Sequence, residues 1–309
     1  MTSLDLGPLV LGGNVFGWTA DLDQSRAVLG AFVEGGGRSV DTADVYSQWV
    51  PGNDGGDSET VIGQWLAGRG RRDDVEIHTK VFSKQDRPGL SARNIVLAAE
   101  DSLRRLQTDH IDLYYAHRDD PEVAPEEYVA AFDSLVRSGK VREVGASNFS
   151  SDRLRQALDV AAAQGLTGFT VSQDQWNLVE REIETTLVPT LQERGLVELP
   201  YAGLAGGFLT GKYRPGADVD SARARSAGRY LDRPGIADLL DALDTVAADH
   251  DTSVTAVSLA WLRARPTVGA PIASARTVDQ VQPLLDSARL ELSSDELDRL
   301  TQASVDRAA

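Results

Sequence analysis

The stretch 110–117, His-Ile-Asp-Leu-Tyr-Tyr-Ala-His ("HIDLYYAH"), decides the fold class of this 309-residue chain. Its apolar residues stand on consecutive positions rather than on alternate ones. Parallel strands that are covered by helices on both faces show this pattern, because both faces of the strand are buried. The stretch therefore predicts a strand in the interior of a parallel sheet.

Seven further segments have the character of short buried strands, so we predict eight strands in all. The eight segments are "LVLGG" (9–13), "RSVDTA" (38–43), "DVEIHTKVF" (74–82), "HIDLYYAH" (110–117), "VREVGAS" (141–147), "GFTVSQDQWN" (168–177), "LVELPYAG" (196–203) and "GAPIAS" (269–274). They are spread over nearly the whole chain, and amphipathic stretches separate them.

Helix patterns fill the gaps between the predicted strands. The clearest predicted helices cover 91–106, 125–138, 237–250, 255–265 and 293–300. Ser91 is a candidate N-cap, and Pro125 fits the first position of a helix. Ser293 and Glu296 have the spacing of a capping box. Strands that alternate with helices in this way predict an α/β fold with a parallel sheet.

We predict a (β/α)8 TIM barrel that forms a single domain over residues 1–309. The doubly wound alternative usually carries G-x-G-x-x-G after an early strand, and this chain lacks that pattern. We also expect an N-terminal β-hairpin and long loops at the C-terminal face of the barrel.

The segment 213–235 is the one long irregular stretch, and we expect a flexible loop there. It contains five arginines: Arg214, Arg223, Arg225, Arg229 and Arg233. A basic loop in an acidic protein fits a lid over an anionic ligand, and it fits a solvated insertion equally well.

Composition excludes several classes of partner. The 31 basic and 47 acidic residues give a net charge of −16, which argues against a nucleic-acid or anionic-membrane surface. The absence of cysteine excludes disulfides, thiolate metal sites and cysteine nucleophiles. No signal peptide or membrane span is recognisable, so we expect a cytoplasmic protein. A homo-oligomer is compatible with this composition.

Four chemically active residues fall at the C-terminal ends of predicted strands or in the loops that follow them, where barrel enzymes place their catalytic groups. These residues are Asp41, Lys80 and His117 at strand ends, and Tyr46 in the loop after Asp41. Each of them alone is more often a capping, solvated or packing residue. Together they provide a carboxylate, an ammonium, an imidazole and a phenol at one mouth.

These four groups fit proton transfer to a carbonyl oxygen. A phenol with an ordinary pKa of about 10 is a poor acid at pH 7, but a nearby ammonium stabilises its phenolate. Tyr46 is then suited to protonate an oxygen that becomes an alkoxide, while His117 orients that oxygen. No serine or cysteine nucleophile lies beside a base, so hydride from a nicotinamide is the natural attacking group.

Seven motifs in order resemble those of the aldo-keto reductase superfamily, most of all its bacterial branch related to potassium-channel β-subunits. The motifs are "VDTADVYS", "IHTKVF", "IDLYYAHRDD", "VREVGASNF", "VSQDQWNLVE", "PYAGLAGGFLTGKY" and "APIASARTVDQV", within residues 8–300. The resemblance implies a (β/α)8 barrel and NADPH bound in an extended conformation. It also implies a catalytic tetrad of Tyr46, Lys80, Asp41 and His117.

The resemblance further implies a set of cofactor contacts. At the nicotinamide these are Ser147, Asn148, Gln173 and Tyr201, with Tyr201 stacked on the ring, and Asp41 is also a cofactor contact. Gly12, Gly13 and Asn14 end the first strand, where the family passes its backbone close to the cofactor. The loop beneath the pyrophosphate supplies Gly203, Leu204, Gly207, Leu209 and Lys212. The adenosine end supplies Ser274, Arg276 and Gln280. Because an arginine fork suits a phosphate, Arg276 favours NADPH over NADH. Leu284 departs from the asparagine common near the adenine.

The segment "GGFLTGKY" (206–213) also fits the beginning of a phosphate-binding P-loop, G-x-x-x-x-G-K. The full pattern requires Ser or Thr after the lysine, and this chain has Tyr213 there. Tyr213 cannot replace the hydroxyl that binds Mg²⁺, so we interpret the segment as the pyrophosphate loop of the family it resembles.

The substrate is expected to be a small-molecule aldehyde or ketone. Trp18, Trp49 and Phe82 follow strand ends and are candidates for an apolar pocket, although each also fits ordinary packing. A rival function is a redox-sensing protein, similar to a β-subunit, that binds NADPH with little turnover. A metal-dependent barrel is disfavoured because its four histidines, at 78, 110, 117 and 250, include no pair at close ligand spacing.

Overall fold

The computed structural model of the protein describes residues 2, 4–216, 219 and 224–304. Eight parallel strands form one sheet in the order β7-β6-β5-β4-β3-β2-β1-β8. The strands are β1 (Val10–Gly12), β2 (Ser39–Asp41), β3 (Glu76–Val81), β4 (Ile111–Ala116), β5 (Val141–Ser147), β6 (Val171–Gln173), β7 (Val197–Glu198) and β8 (Ile272–Ala273). All eight lie within the predicted segments.

The sheet closes on itself between its two terminal strands. The Glu198 N–H of β7 donates to the Thr267 carbonyl at 2.8 Å, and the Ile272 N–H of β8 donates to the Pro200 carbonyl at 2.8 Å. On the other side of the closure, Leu11 of β1 is in register with Ala273 of β8. These contacts confirm the predicted (β/α)8 barrel.

Helices surround the barrel. They are α1 (Leu22–Glu34), α2 (Asp57–Arg69), α3 (Ala92–Leu106), α4 (Pro125–Arg137), α5 (Ser151–Gln164), α6 (Ile183–Thr186), α7 (Val188–Arg194), α8 (Ala224–Gly228), α9 (Ile236–Asp249), α10 (Val254–Arg263), α11 (Val281–Ser287) and α12 (Ser294–Ala303). Ser91 caps α3 and Pro125 begins α4, as predicted. Ser293 and Glu296 form the predicted capping box of α12.

A second cluster of buried apolar side chains fills the lumen of the barrel. Leu6, Leu113, Tyr115 and Leu199 belong to this inner cluster, which is separate from the larger core outside the barrel. A filled lumen leaves the C-terminal ends of the strands as the open face. The candidate site lies at that face.

The expected N-terminal β-hairpin is wrong for the described residues, because no strand precedes β1 there. Leu6 is buried in the lumen cluster instead, and its carbonyl accepts a hydrogen bond from Ser39 Oγ at 2.9 Å. The burial of Leu6 and Leu9 draws this segment into the barrel, so it does not pair with itself.

The expectation of an irregular loop over 213–235 is only partly correct. The described residues include α8 and a 3₁₀ helix at Arg229–Asp232. Tyr230 is buried against Phe208, with ring centroids 5.3 Å apart, and this apolar contact orders the segment. Arg223 lies outside the described residues.

The arginines described in this segment include two that form ion pairs on the outside of the barrel. Arg214 pairs with Asp244 at 2.6 Å, and Arg233 pairs with Glu180 at 2.7 Å. None of the described residues of 213–235 lines the cleft described below. The described part of the segment therefore gives no support to the lid.

The contact between α2 and α3 depends on a glycine, which gives a test of the packing. A β-carbon at Gly63 would clash with the Arg105 carbonyl and lie 2.8 Å from Leu106 Cα. We expect Gly63→Ala to force the helices apart and to lower the free energy of unfolding by about 1–3 kcal/mol. Denaturant unfolding followed by circular dichroism measures this loss.

Gly68→Ala in the same helix is the matched control. Gly68 is exposed, and a β-carbon there would meet nothing within 4 Å. Because alanine is the better helix former, this variant should be as stable as the wild type or more stable by up to about 1 kcal/mol. Equal losses in the two variants would contradict the close approach at Gly63.

Candidate functional site

A buried lysine joins two of the predicted site residues. Lys80, in β3, is fully buried. Its Nζ donates to Asp41 Oδ2 at 2.6 Å and to the Thr42 carbonyl at 2.7 Å, and it lies 3.2 Å from Tyr46 Oη. The three N–H bonds of the ammonium therefore have three oxygen partners. The barrel brings these groups together because β2 and β3 are neighbours whose C-terminal ends share one edge.

Asp41 is held from a second direction. Its Oδ1 accepts a hydrogen bond from Gln173 Nε2, in β6, at 2.9 Å. Both carboxylate oxygens are thus occupied, one by a cation and one by an amide. This arrangement fixes the carboxylate in the plane that points at Lys80 and leaves it little freedom to rotate.

The ionisation of the site follows from burial and nearby charge. Burial lowers the pKa of Lys80, and the adjacent Asp41 carboxylate opposes this shift. Burial, with the positive charges of Lys80 and Arg118, holds the pKa of His117 well below its ordinary value. His117 is therefore a neutral imidazole at pH 7. Its Nδ1 is buried without a hydrogen-bond partner among the described residues.

An open cleft of about 680 Å³ extends from Tyr46 and His117 to the loop after β8. Sixteen of the predicted site residues line it: Gly12, Asn14, Asp41, Tyr46, His117, Ser147, Asn148, Gln173, Tyr201, Gly203, Leu204, Gly207, Lys212, Ser274, Arg276 and Gln280. The strand ends and the loops that follow them thus contribute to one continuous surface. Its length suits an extended ligand.

Two predicted cofactor residues lie behind the cleft wall. Gly13 donates its N–H to the Asp41 carbonyl at 2.7 Å, and so ties β1 to β2 beneath the surface. Leu209 is fully buried, and its N–H is bonded to the Leu204 carbonyl at 3.2 Å. Leu209 does not line the cleft among the described residues, so its predicted cofactor contact stays a prediction.

Asn148 connects three strand ends at one end of the cleft. Its Nδ2 donates to Ser147 Oγ at 2.9 Å and to the His117 carbonyl at 3.1 Å, while its Oδ1 accepts from Tyr201 Oη at 2.9 Å. The backbone of Asn148 has φ +57°, a left-handed conformation that asparagine tolerates better than most residues. The amide is therefore fixed relative to His117 and Tyr201.

The opposite end of the cleft is polar on one side and apolar on the other. Ser274 Oγ donates to Asn14 Oδ1 at 2.7 Å, and the Arg276 N–H donates to Gln280 Oε1 at 2.9 Å. Leu284 lines this end and is almost fully buried. It presents a hydrocarbon surface where the resemblance leads one to expect an amide.

The predicted pocket aromatics lie around Tyr46 rather than along the cleft. The Trp18 and Trp49 rings meet edge to face with centroids 5.6 Å apart, and Trp49 lies 6.3 Å from the Tyr46 ring. Trp49 is 49% exposed, which leaves it free to contact a ligand. Phe82 lies beneath the guanidinium of Arg118 instead.

Comparison with known proteins agrees with this geometry. The model of the Aldo/keto reductase family matches residues 8–305. The chain belongs to the aldo/keto reductase family. Members of this family are NAD(P)-dependent oxidoreductases that act on carbonyl groups.

This aldo/keto reductase is similar in sequence to three proteins with the following identities and coverages. It is 33% identical to "Uncharacterized oxidoreductase YrpG" of Bacillus subtilis strain 168, over 95% of this chain and 91% of the relative. It is 31% identical to protein tas of Escherichia coli K12, over 96% and 93% of the two chains. It is 29% identical to norsolorinic acid reductase stcV of Emericella nidulans, over 96% and 78%.

Within the part of this aldo/keto reductase that the structure describes, no helix is both long and apolar enough to span a bilayer.

Arg118 is a cleft residue of this aldo/keto reductase that the sequence reasoning missed. It follows His117 directly and lines the same end of the cleft. Its position in "HRDD", immediately after a catalytic candidate at a strand end, was the available signal. A basic residue there resembles any solvated arginine until its neighbours are known.

A buried carboxyl pair supports Asn148 from behind the cleft wall. The Asn148 N–H donates to Asp174 Oδ1 at 2.9 Å, and the Asp174 N–H donates to Glu198 Oε1 at 2.8 Å. Asp174 also accepts the Ser172 hydroxyl at 2.5 Å. These contacts tie the ends of β5, β6 and β7 together beneath the cleft.

Burial determines the protonation of this pair. Burial, followed by the Asp174 charge, raises the pKa of Glu198 well above its ordinary value. Burial raises the pKa of Asp174 to about 6, against the hydrogen bonds from Ser172 and Asn148. Folding therefore favours the protonated form of Glu198 relative to the unfolded chain.

Glu198→Gln should therefore change stability in a pH-dependent way. A raised folded-state pKa means that the folded state binds more protons, so stability falls as pH rises above the ordinary value of 4.5. The amide keeps the acceptor for the Asp174 N–H but has no proton to lose. We expect the variant to gain about 1 kcal/mol or more over wild type at pH 8, since each unit of pKa shift is worth about 1.4 kcal/mol. Urea unfolding at pH 4.5 and pH 8 measures the difference.

Glu126→Gln, on the exposed surface of α4, controls for the loss of one negative charge. This control should behave as the wild type does at both pH values. A Glu198→Gln effect of the same size at pH 4.5 and pH 8 would show that Glu198 is not protonated by burial.

Proposed function

We propose that this protein is an NADPH-dependent reductase that converts an aldehyde or ketone to an alcohol. The observation that carries the proposal is the position of Lys80 Nζ, 2.6 Å from Asp41 Oδ2 and 3.2 Å from Tyr46 Oη, beneath an open cleft. A phenol beside a buried ammonium is suited to give up its proton. The family of the chain makes a carbonyl the natural acceptor.

The cleft residues fit a dinucleotide. Lys212 and Arg276 provide cations for phosphates, and both line the cleft. Gly12 leaves space for close approach, because a β-carbon there would lie 2.6 Å from Ser274 Oγ. This donor set supports a phosphorylated cofactor with its reactive end near Tyr46.

The preference for NADPH rests on the adenosine end. Arg276 and Ser274 both line the cleft there. A guanidinium binds the 2′-phosphate of NADPH more strongly than it binds the uncharged 2′-hydroxyl of NADH. Gln280 is held against the Arg276 N–H, so its side chain already lies beside this position. We assign these three residues to the 2′-phosphate and the adenosine.

The cofactor, when bound, supplies a hydride to the carbonyl carbon. Tyr46 gives its phenolic proton to the carbonyl oxygen, and the Lys80 ammonium stabilises the phenolate that remains. Burial lowers the pKa of Lys80, and the Asp41 carboxylate opposes this shift and so favours the charged ammonium. His117, as a neutral imidazole, donates a hydrogen bond that orients the carbonyl oxygen.

The amides at the Tyr46 end orient the nicotinamide. Asn148, Ser147 and Gln173 line the cleft there, and their polar groups suit a carboxamide. The ring of Tyr201 is fixed by the bond from its hydroxyl to Asn148 at 2.9 Å. We assign Tyr201 to stacking on the nicotinamide, which leaves the other face of the ring toward Tyr46.

Tyr46→Phe should separate chemistry from binding. This change removes the proton donor and leaves the ring, so we expect NADPH affinity within about threefold of wild type and kcat reduced by about 10²–10⁴-fold. Fluorescence titration measures the affinity, and NADPH oxidation with an aromatic aldehyde measures turnover.

Tyr128→Phe is the matched control, because the Tyr128 hydroxyl is buried without a described partner and lies away from the cleft. It should retain wild-type turnover. Turnover in Tyr46→Phe equal to that of the control would remove Tyr46 from its assigned role. Tight NADPH binding by the wild type without turnover of any aldehyde would favour the redox sensor instead.

Arg276→Ala should lower the preference for NADPH over NADH. The variant loses the phosphate contact, so we expect KM for NADPH to rise about 10–100-fold while KM for NADH changes less than about threefold. Arg289→Ala removes an exposed arginine outside the cleft and should change neither value. Parallel increases for both cofactors in Arg276→Ala would contradict the assignment.

A further inference from the structure

Three cationic side chains line the cleft among the described residues: Lys212, Arg276 and Arg118. The first two lie in the loops after β7 and β8, and the proposed function assigns them to the phosphates of the cofactor. Arg118 lies at the other end, directly after His117 and beside the proton donor. A cofactor whose nicotinamide reaches Tyr46 places its phosphates toward Lys212 and Arg276, so Arg118 has no phosphate to bind.

Arg118 has no acidic partner within the described part of the chain. The two aspartates that follow it are engaged elsewhere. Asp119 pairs with Arg153 at 2.9 Å, and Asp120 accepts the Leu90 N–H at 2.8 Å. The acidic half of "HRDD" therefore supports the loop, while its basic half stays unneutralised in a protein with a net charge of −16.

The guanidinium of Arg118 is nevertheless positioned. Its Cζ lies 5.7 Å from the centroid of the Phe82 ring, in a cation–π contact. Phe82 has φ +141°, a conformation that favours glycine, and its carbonyl accepts the Gly89 N–H at 2.9 Å. A ring held in this way offers a fixed support. A cation–π contact uses the charge of the guanidinium and none of its N–H groups, which stay available for hydrogen bonds to a ligand.

The charge of Arg118 acts on the acid–base end of the cleft. It is one of the causes that hold down the pKa of His117, after burial and Lys80. It also opposes the rise in the pKa of Tyr201, which burial causes. Arg118 therefore interacts electrostatically with His117, which is assigned to the carbonyl, and with Tyr201, which is assigned to the nicotinamide.

We infer that Arg118 binds an anionic group of the substrate, and that the preferred substrates are aldehydes or ketones that carry a carboxylate. This inference rests on the proposed function of the same cleft. The planar fork of a guanidinium matches a carboxylate through two parallel hydrogen bonds. The exposed ring of Trp49, 6.3 Å from the ring of Tyr46, offers an apolar surface for the carbon skeleton of such a substrate.

The test compares 4-formylbenzoate with its methyl ester, which have the same reacting aldehyde and differ in charge. Wild type, Arg118→Gln, Arg118→Lys and the exposed control Arg93→Gln are assayed with NADPH. We expect Arg118→Gln to lower kcat/KM for the carboxylate about 10–100-fold, mainly through KM, and to change the value for the ester less than about threefold. Arg118→Lys should recover part of the loss, and Arg93→Gln should match wild type.

Equal losses for the acid and the ester in Arg118→Gln would overturn the inference, because they would indicate a general role for Arg118. Unchanged kcat/KM for the acid would overturn it as well. Because Arg118 is exposed, the loss for the acid should also shrink as salt is raised.

A binding measurement keeps the two proposals distinguishable. Calorimetric titration of the NADPH-loaded protein with 4-(hydroxymethyl)benzoate tests the carboxylate contact without turnover, because the cofactor and the alcohol are both reduced and no hydride can pass between them. If wild type reduces neither aldehyde, the proposed function fails. Weaker binding of this alcohol to Arg118→Gln than to wild type would still support the anion site, and equal binding would overturn it.

Discussion

The buried ammonium of Lys80 is the constraint on which the rest of the site depends. Taking a charged amine out of water is costly, and it persists here because Asp41, Thr42 and Tyr46 supply three oxygen partners within 3.2 Å. That arrangement requires β2 and β3 to be neighbours in register, and it requires Asp41 to be held by Gln173 from the far side of the barrel. The contacts of the Lys80 ammonium therefore form only when the barrel holds β2, β3 and β6 in these positions.

The neutral and the cationic polar groups of the cleft lie mostly in different regions. Near Tyr46 its walls carry neutral amides and a neutral imidazole, while the cations other than Arg118 lie toward the loops after β7 and β8. The amide of Asn148 is the centre of the first region, and the buried pair of Asp174 and Glu198 holds it from below. Rigidity at this end thus comes from outside the cleft itself, from carboxyl groups that no ligand would touch.

The eight strands and the four acid–base residues were predictable because both depend on local patterns. Consecutive apolar residues indicate buried parallel strands, and the strand ends indicate which polar side chains share a mouth. The burial of the Leu209 side chain was not predictable, because its motif does not show whether a 3₁₀ turn directs a side chain inward or outward. The 3₁₀ helix at Arg229–Asp232 packs Tyr230 against Phe208, a contact between separate segments that no local pattern shows. The pairing of Asp174 with Glu198 joins residues 24 positions apart, and no local pattern records it.

The hydrogen bond from Ser274 to Asn14 joins residues 260 positions apart, and the bond from Gln173 to Asp41 spans 132. Contacts of such long range form late in folding, since the entropy of closing large loops must be overcome first. During synthesis, the first strands leave the ribosome long before β8 exists to complete the cleft. A chain that lacks β8 has neither the closed lumen, to which Ile272 contributes, nor the Ser274 end of the cleft, so a ligand that spans both ends of the cleft would bind only the finished chain.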